Sequence, residues 1–130
     1  MRRPKAIAKY NLDFCSLELH KNYMKAEINE GVCITSEITA TLTEIALQFF
    51  ENRPFVYLTH RVNSYAVDPT VYYETSKIEN LVAFIIVSDQ IIHKKQSEIE
   101  KTFFKKELRY FESMEKALAY KDEVLSCIEK

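Results

Sequence analysis

The chain has 130 residues, 47% of them hydrophobic and 28% charged, with a formal charge of −1 at pH 7. This is the mix of one ordinary globular domain, with no basic excess for a nucleic-acid surface. It holds a single glycine, Gly31, against about nine at average usage, which excludes a phosphate-binding loop, a dinucleotide-binding turn and a nucleophile elbow.

The amino-terminal residues 1–8 read as a loose basic tail, and residues 9–130 as one domain. Leu12, Phe14, Leu17 and Leu19 alternate with polar residues, as a half-buried strand does. The phase slips at Cys15-Ser16, which predicts a bulge or bend. Lys21-Asn22 makes a tight turn, and Met24, Ala26 and Ile28 continue as an antiparallel partner. Gly31 ends this hairpin.

Thr35 or Ser36 caps a helix with Ile38, Leu42, Ile45, Ala46 and Phe49 on one face. Asn52-Arg53-Pro54 stops it. Phe55 to Leu58 is a continuous apolar run, expected in a strand covered on both faces. Residues 63–68 are loop-like, and Asp68 caps a short helix that starts at Pro69. The run from Leu81 to Val87 is a second covered strand. A polar helix over much of 90–105 is anchored by Ile99 and Phe103. A short strand from Leu108 to Phe111 follows. Ser113 caps a last helix whose apolar face is Met114, Ala117, Leu118, the Lys121 stem, Val124, Leu125 and Ile128. The order ββαβαβαβα implies an α/β fold, with a mixed, mostly parallel sheet, an antiparallel edge hairpin and helices covering the sheet.

Cys15, Cys33 and Cys127 are scattered and form no CxxC pair, so they fit a reducing compartment better than a zinc or dithiol site. Ala6-Ile7-Ala8 is too short for a signal-peptide core. No run approaches the roughly 18 apolar residues of a membrane span. A soluble cytoplasmic protein is expected.

Three stretches carry a resemblance. Asn29-Glu30-Gly31-Val32 lies at the first helix entry. Thr59-His60-Arg61-Val62-Asn63-Ser64-Tyr65-Ala66-Val67-Asp68-Pro69-Thr70-Val71-Tyr72 follows the central strand. Phe111-Glu112-Ser113-Met114-Glu115-Lys116-Ala117-Leu118 opens the last helix. Together these resemble the SpoIIAA-like proteins of the STAS superfamily (sulfate transporter and anti-sigma factor antagonist), in a small bacterial branch. The resemblance implies a SpoIIAA-like sandwich over nearly the whole chain. It also matches Ser64 to the serine that anti-sigma antagonists have phosphorylated. The usual acidic neighbour and following glycine are replaced here by Asn63 and Tyr65-Ala66. The related CRAL-TRIO fold, found in longer chains, implies a lipid carrier as the other reading.

In open α/β sheets ligands sit beyond the carboxyl ends of the strands. His60, Arg61, Asn63, Ser64, Tyr65, Asp68 and Tyr72 follow the central strand, and Ser88, Asp89 and Gln90 follow the next. Arg61 can hold a carboxylate or phosphate through two parallel hydrogen bonds. The alternative is turn chemistry, with Asp68, Asn63 and Ser64 as caps and turns. Tyr65, Tyr72 and Tyr73 suit either a binding surface or a cap over the core. Ser64, His60 and Asp68 have the residue types of a hydrolase triad, without a glycine-built oxyanion hole.

The stretch His93, Lys94, Lys95, Lys101, Lys105, Lys106 and Arg109 includes Phe103 and Phe104. Glu98, Glu100 and Glu107 interrupt it at helical spacing, so it reads as a solvated face rather than a membrane or nucleic-acid patch. The histidines are too far apart for metal-ligand spacing. Neither metal nor cofactor is expected. The leading expectation is a non-catalytic module binding a protein partner or a small anionic ligand between His60 and Tyr73, with a homodimer as an option. A lipid-like carrier and a Ser64/His60 hydrolase are the alternatives.

Overall fold

Period-two alternation builds the amino-terminal strands. The computed structural model describes residues 6–63 and 65–129, with no side-chain description for 128 and 129. Ala8–Asn11 (β1), Cys15–Leu19 (β2) and Tyr23–Ile28 (β3) form an antiparallel meander. The phase slip at Cys15-Ser16 proves to be a chain reversal rather than a bulge. Leu12 N–H donates to Cys15 O at 2.9 Å, and Asn11 faces Ser16 across the turn. The expected tail also ends earlier than residue 8, since Ile7 N–H donates to Leu19 O at 2.8 Å and Ala8 opens β1. Residues 1–5 lie outside the described residues.

Gly31 adopts φ +79° between β3 and the two-residue strand Cys33–Ile34 (β4), in the left-handed region that glycine enters without penalty. β4 pairs in parallel with Ala66–Val67 (β6), inside the stretch expected to be loop. Thr35 caps helix α1 (Ser36–Phe50), its side chain accepting from Ile38 N–H. At the far end Glu51 takes φ 56°. Arg53 curls back to donate from Nη2 to Phe49 O at 2.8 Å and from Nε to Phe50 O at 3.2 Å. The helix stop thus rests on an arginine that satisfies terminal carbonyls, with Pro54 behind it.

Phe55–His60 (β5), Leu81–Val87 (β7) and Glu107–Phe111 (β8) continue the sheet in parallel, in the order β1-β2-β3-β5-β7-β8. Both apolar runs are covered on two faces. On one side Phe55, Phe84 and Ile86 pack with Leu42, Ala46 and Phe50 of α1 and with helix α2 (Val71–Thr75). On the other, Val56, Leu58, Ala83 and Ile85 pack with Met114, Ala117 and Leu125 of helix α4 (Met114–Glu129). Ser113 Oγ accepts from Lys116 N–H at 3.3 Å, as expected of its cap.

Helix α3 (Ile91–Glu100) reverses the expected polarity. Ile99, read as an anchor, is 61% exposed, and Ile91 and Ile92 are 74% and 57% exposed. His93, Ser97 and Glu100 face inward instead. Phe104, beyond the helix, is buried, while Phe103 is only half-buried.

Candidate functional site

The pleat of β5 decides which side chains meet. Alternate residues point to opposite faces, so Tyr57 and Thr59 lie on the α1/α2 side and Arg61 follows in the same phase. His60 lies on the opposite pleat, half-buried at the end of β5. β5 and β7 are parallel neighbours, and Arg61 N–H donates to Val87 O at 2.8 Å. The loop after β5 and the Ser88 turn after β7 therefore share one rim, as the topology predicts.

Arg61 is 4% exposed and fully engaged. Its Nη1 donates to Glu100 Oε1 at 2.9 Å, and Nη2 to Glu100 Oε2 at 2.7 Å. Nε donates to the Tyr65 hydroxyl at 2.8 Å, which is 3.2 Å from Thr59 Oγ1. The Tyr72 hydroxyl donates to Glu100 Oε2. Burial works against the Arg61 charge. The Glu100 hydrogen bonds, together with the Tyr65, Tyr72 and Glu100 charges, outweigh it, so the guanidinium is held still higher than usual as a fixed cation. Burial, then the Glu100 charge, push the Tyr72 phenol well above its ordinary range. Tyr72 therefore stays protonated and acts as a donor.

Two hollows flank this ion pair. An inner cavity of about 50 Å³ lies between sheet, α1 and α2, with Leu42, Ala46, Tyr57, Thr59, Tyr72 and Phe84 among its walls. An outer cleft of about 230 Å³ runs past Ala66, Pro69, Gln96 and Ile99. Arg61, Tyr65 and Val67 line both.

The other expected residues do structural tasks. Asn63 donates from Nδ2 to Ile28 O at 3.1 Å, tying the loop to β3. Asp68 Oδ1 accepts from Thr70 N–H at 3.1 Å and from Thr70 Oγ1 at 2.8 Å, and these bonds lower its pKa. Ser88 is buried. Its Oγ lies 2.6 Å from His93 Nδ1 and accepts from Gln90 N–H at 3.1 Å. Ser64 lies outside the described residues, so the trio Ser64, His60 and Asp68 is not placed. A serine–histidine hydrogen bond does exist, at Ser88 and His93. It sits beneath α3 with Ser88 only 2% exposed, as part of the turn into that helix.

Glu100 was not anticipated as a site residue. Read along the helix, it pairs with surface lysines. Its neighbours at helical spacing, His93 and Ser97, carry the missed signal. A polar stripe at 93, 97 and 100 opposes isoleucines at 91, 92 and 99, and an amphipathic helix can bury either stripe.

No family model and no curated protein matches the chain. A solved structure does resemble it, an uncharacterized protein from the DUF3478 family with a SpoIIAA-like fold, from Shewanella loihica PV-4. The two share 15% sequence identity with a TM-score of 0.54, over 82% of this chain and 91% of that one. The fold is SpoIIAA-like, as the sequence resemblance implies. Among the described residues no helix is long and apolar enough to cross a membrane.

Proposed function

We propose that the protein is a non-catalytic binding module that receives a small organic anion at Arg61, within the loop from His60 to Tyr73. One observation carries this reading: a buried guanidinium, paired with Glu100, stands between two hollows whose walls are largely apolar. Desolvating an ion pair costs several kcal/mol per ion, and apolar residues of equal volume often stabilise a core better. Such a pair beside a cavity is better explained by recognition than by stability.

Size argues against a long-chain lipid carrier. An apolar cavity of roughly 150 Å³ is what holds benzene, and the inner cavity is about a third of that. A protein partner would meet the same rim through Val62 and Tyr73, which are 45% and 44% exposed. Tyr65, Tyr72 and the Arg61 head are the binding groups. Asn63, Asp68 and Ser88 hold the frame, and no part of the reading rests on Ser64 or His60. Cys15, Cys33 and Cys127 are free, with Cys33 and Cys127 exposed, which suits a reducing cytoplasm.

The test is amide chemical-shift mapping with inorganic phosphate, a short alkyl carboxylate and a short alkyl sulfonate. Saturable shifts at residues 60–73 and at Arg61 Nε are expected with at least one class. No saturable response there with any class refutes the reading.

A further inference from the structure

We infer that the Glu100 carboxylate occupies the seat of the ligand's own head group, that the ligand is a short-chain monocarboxylate, and that α3 is the plug it displaces. This rests on the reading of Arg61 as the ligand's cation, and it adds the ligand class and the gate.

The seat is shaped for a carboxylate. Two oxygens of one planar group meet Nη1 and Nη2 of Arg61 at 2.9 and 2.7 Å, and the Tyr72 hydroxyl donates to one of them. That is fork-on-fork geometry with one additional donor. A phosphate would bring further charged oxygens against walls such as Leu42 and Phe84, where a charge without donors is expensive.

The two hollows give the ligand a body and a path. Arg61 lines both, and Glu100 closes the outer one from the α3 side. With Glu100 withdrawn they join, and approach the lower end of the roughly 300–1,000 Å³ range of small-molecule sites. The inner part is mostly apolar, with Tyr57, Thr59 and Thr75 among its walls, so it takes the first carbons of an alkyl tail and the outer cleft takes the rest.

α3 is built to leave. A helix seated by the hydrophobic effect turns its isoleucines inward. This one turns out Ile91, Ile92 and Ile99 and is seated by His93, Ser97 and Glu100. Each of these contacts contributes less than its gross strength, because water replaces it when the helix lifts, whereas deleting one charge under a closed helix leaves the other uncompensated. Exchange also conserves charge at the buried arginine, since one carboxylate departs as another arrives. The surplus comes from the tail entering the apolar cavity.

The experiment is calorimetric titration of the wild type and Glu100→Gln with acetate, hexanoate and octanoate. Hexanol and inorganic phosphate at matched ionic strength are the controls. Hexanoate is expected to bind the wild type saturably. It should bind Glu100→Gln about tenfold more tightly, because the internal competitor no longer holds the competent state at low population. Equal affinity for the two proteins, or phosphate matching hexanoate, overturns the inference. If Glu100→Gln fails to fold, the wild type alone decides. Hydrogen exchange of the α3 amides should accelerate on saturation with hexanoate while β5 and β7 stay protected, and unchanged α3 exchange refutes the gate. Phosphate or sulfonate saturating the 60–73 loop while no carboxylate binds would remove this inference and leave the binding-module reading standing.

Discussion

At the scale of single residues, the Arg61–Glu100 pair sets the largest expected effects. Removing one partner leaves a buried charge uncompensated, so Glu100→Ala should cost about 3–5 kcal/mol in urea unfolding. Replacing both, as Arg61→Met with Glu100→Leu, removes the two desolvation penalties together. The double variant should recover most of that loss, and a double-mutant cycle with no coupling would contradict the buried ion pair. Gly31 offers a contrasting case. No heavy atom lies within 4 Å of where its Cβ would stand, but its φ is +79°. Gly31→Ala should therefore cost about 1–2 kcal/mol from backbone strain alone, and Gly31→Asn less, since asparagine tolerates this region. Equal losses for alanine and asparagine would point to a steric cause instead. Gly31 was legible in the sequence because a lone glycine after a strand marks a turn. Glu100 was not, because nothing local tells a buried carboxylate from one on a solvated lysine-rich face.

Elements were legible where their apolar period was simple. α1, β5, β7 and α4 each carry a repeat that admits one seating. The runs Phe55 to Leu58 and Leu81 to Val87 announce strands covered on both faces. β1 was missed because Ala8-Lys9-Tyr10-Asn11 carries no apolar period and Leu12 and Phe14 belong to the reversal before β2, and β4 and β6 are too short to show a period. α3 misled because its buried stripe is polar. That inversion predicts that Ile92→Ser and Ile99→Ser each stay within about 0.5 kcal/mol of the wild type, whereas Leu42→Ala, in the core under α1, costs about 2–5 kcal/mol. The inward stripe also makes α3 sensitive to acid. Burial, then the Arg61 charge, lower the His93 pKa, while Glu100 and Asp89 pull it the other way. A base whose native pKa is depressed takes up its proton more readily when unfolded. The stability it supports is thus full above about pH 6.5 and is lost as pH falls below that value. Unfolding free energy should drop between pH 7 and pH 5 more steeply in the wild type than in His93→Gln. Matching slopes would mean that His93 is not the group responsible.

For the whole molecule, the architecture separates a rigid interior from a soft rim. β5 and β7 are interior strands, with α1 and α2 on one side and α4 on the other. β1 and β8 are the edges of the six-stranded sheet, and β8 carries the exposed charged residues Glu107 and Arg109, which discourages edge-to-edge pairing. The candidate site falls where the two regimes meet. Arg61 is fixed by the end of β5 and Tyr72 by α2, while Glu100 arrives on a helix with its apolar side in water. Fixing the cation and making its cover removable is the combination a binding site requires, and the stability map should show it. Opening free energies within one native protein range from near zero up to the global value, in cooperative blocks. The β5 and β7 amides should exchange only through global unfolding, with a urea dependence equal to the equilibrium one. The α3 amides should exchange through a local opening with almost no urea dependence. In Glu100→Ala the α3 amides should lose protection further, while the interior falls only by the global destabilisation. If α3 and β7 instead exchange with one common free energy and one urea slope, the helix belongs to the core unit and cannot act as a removable cover.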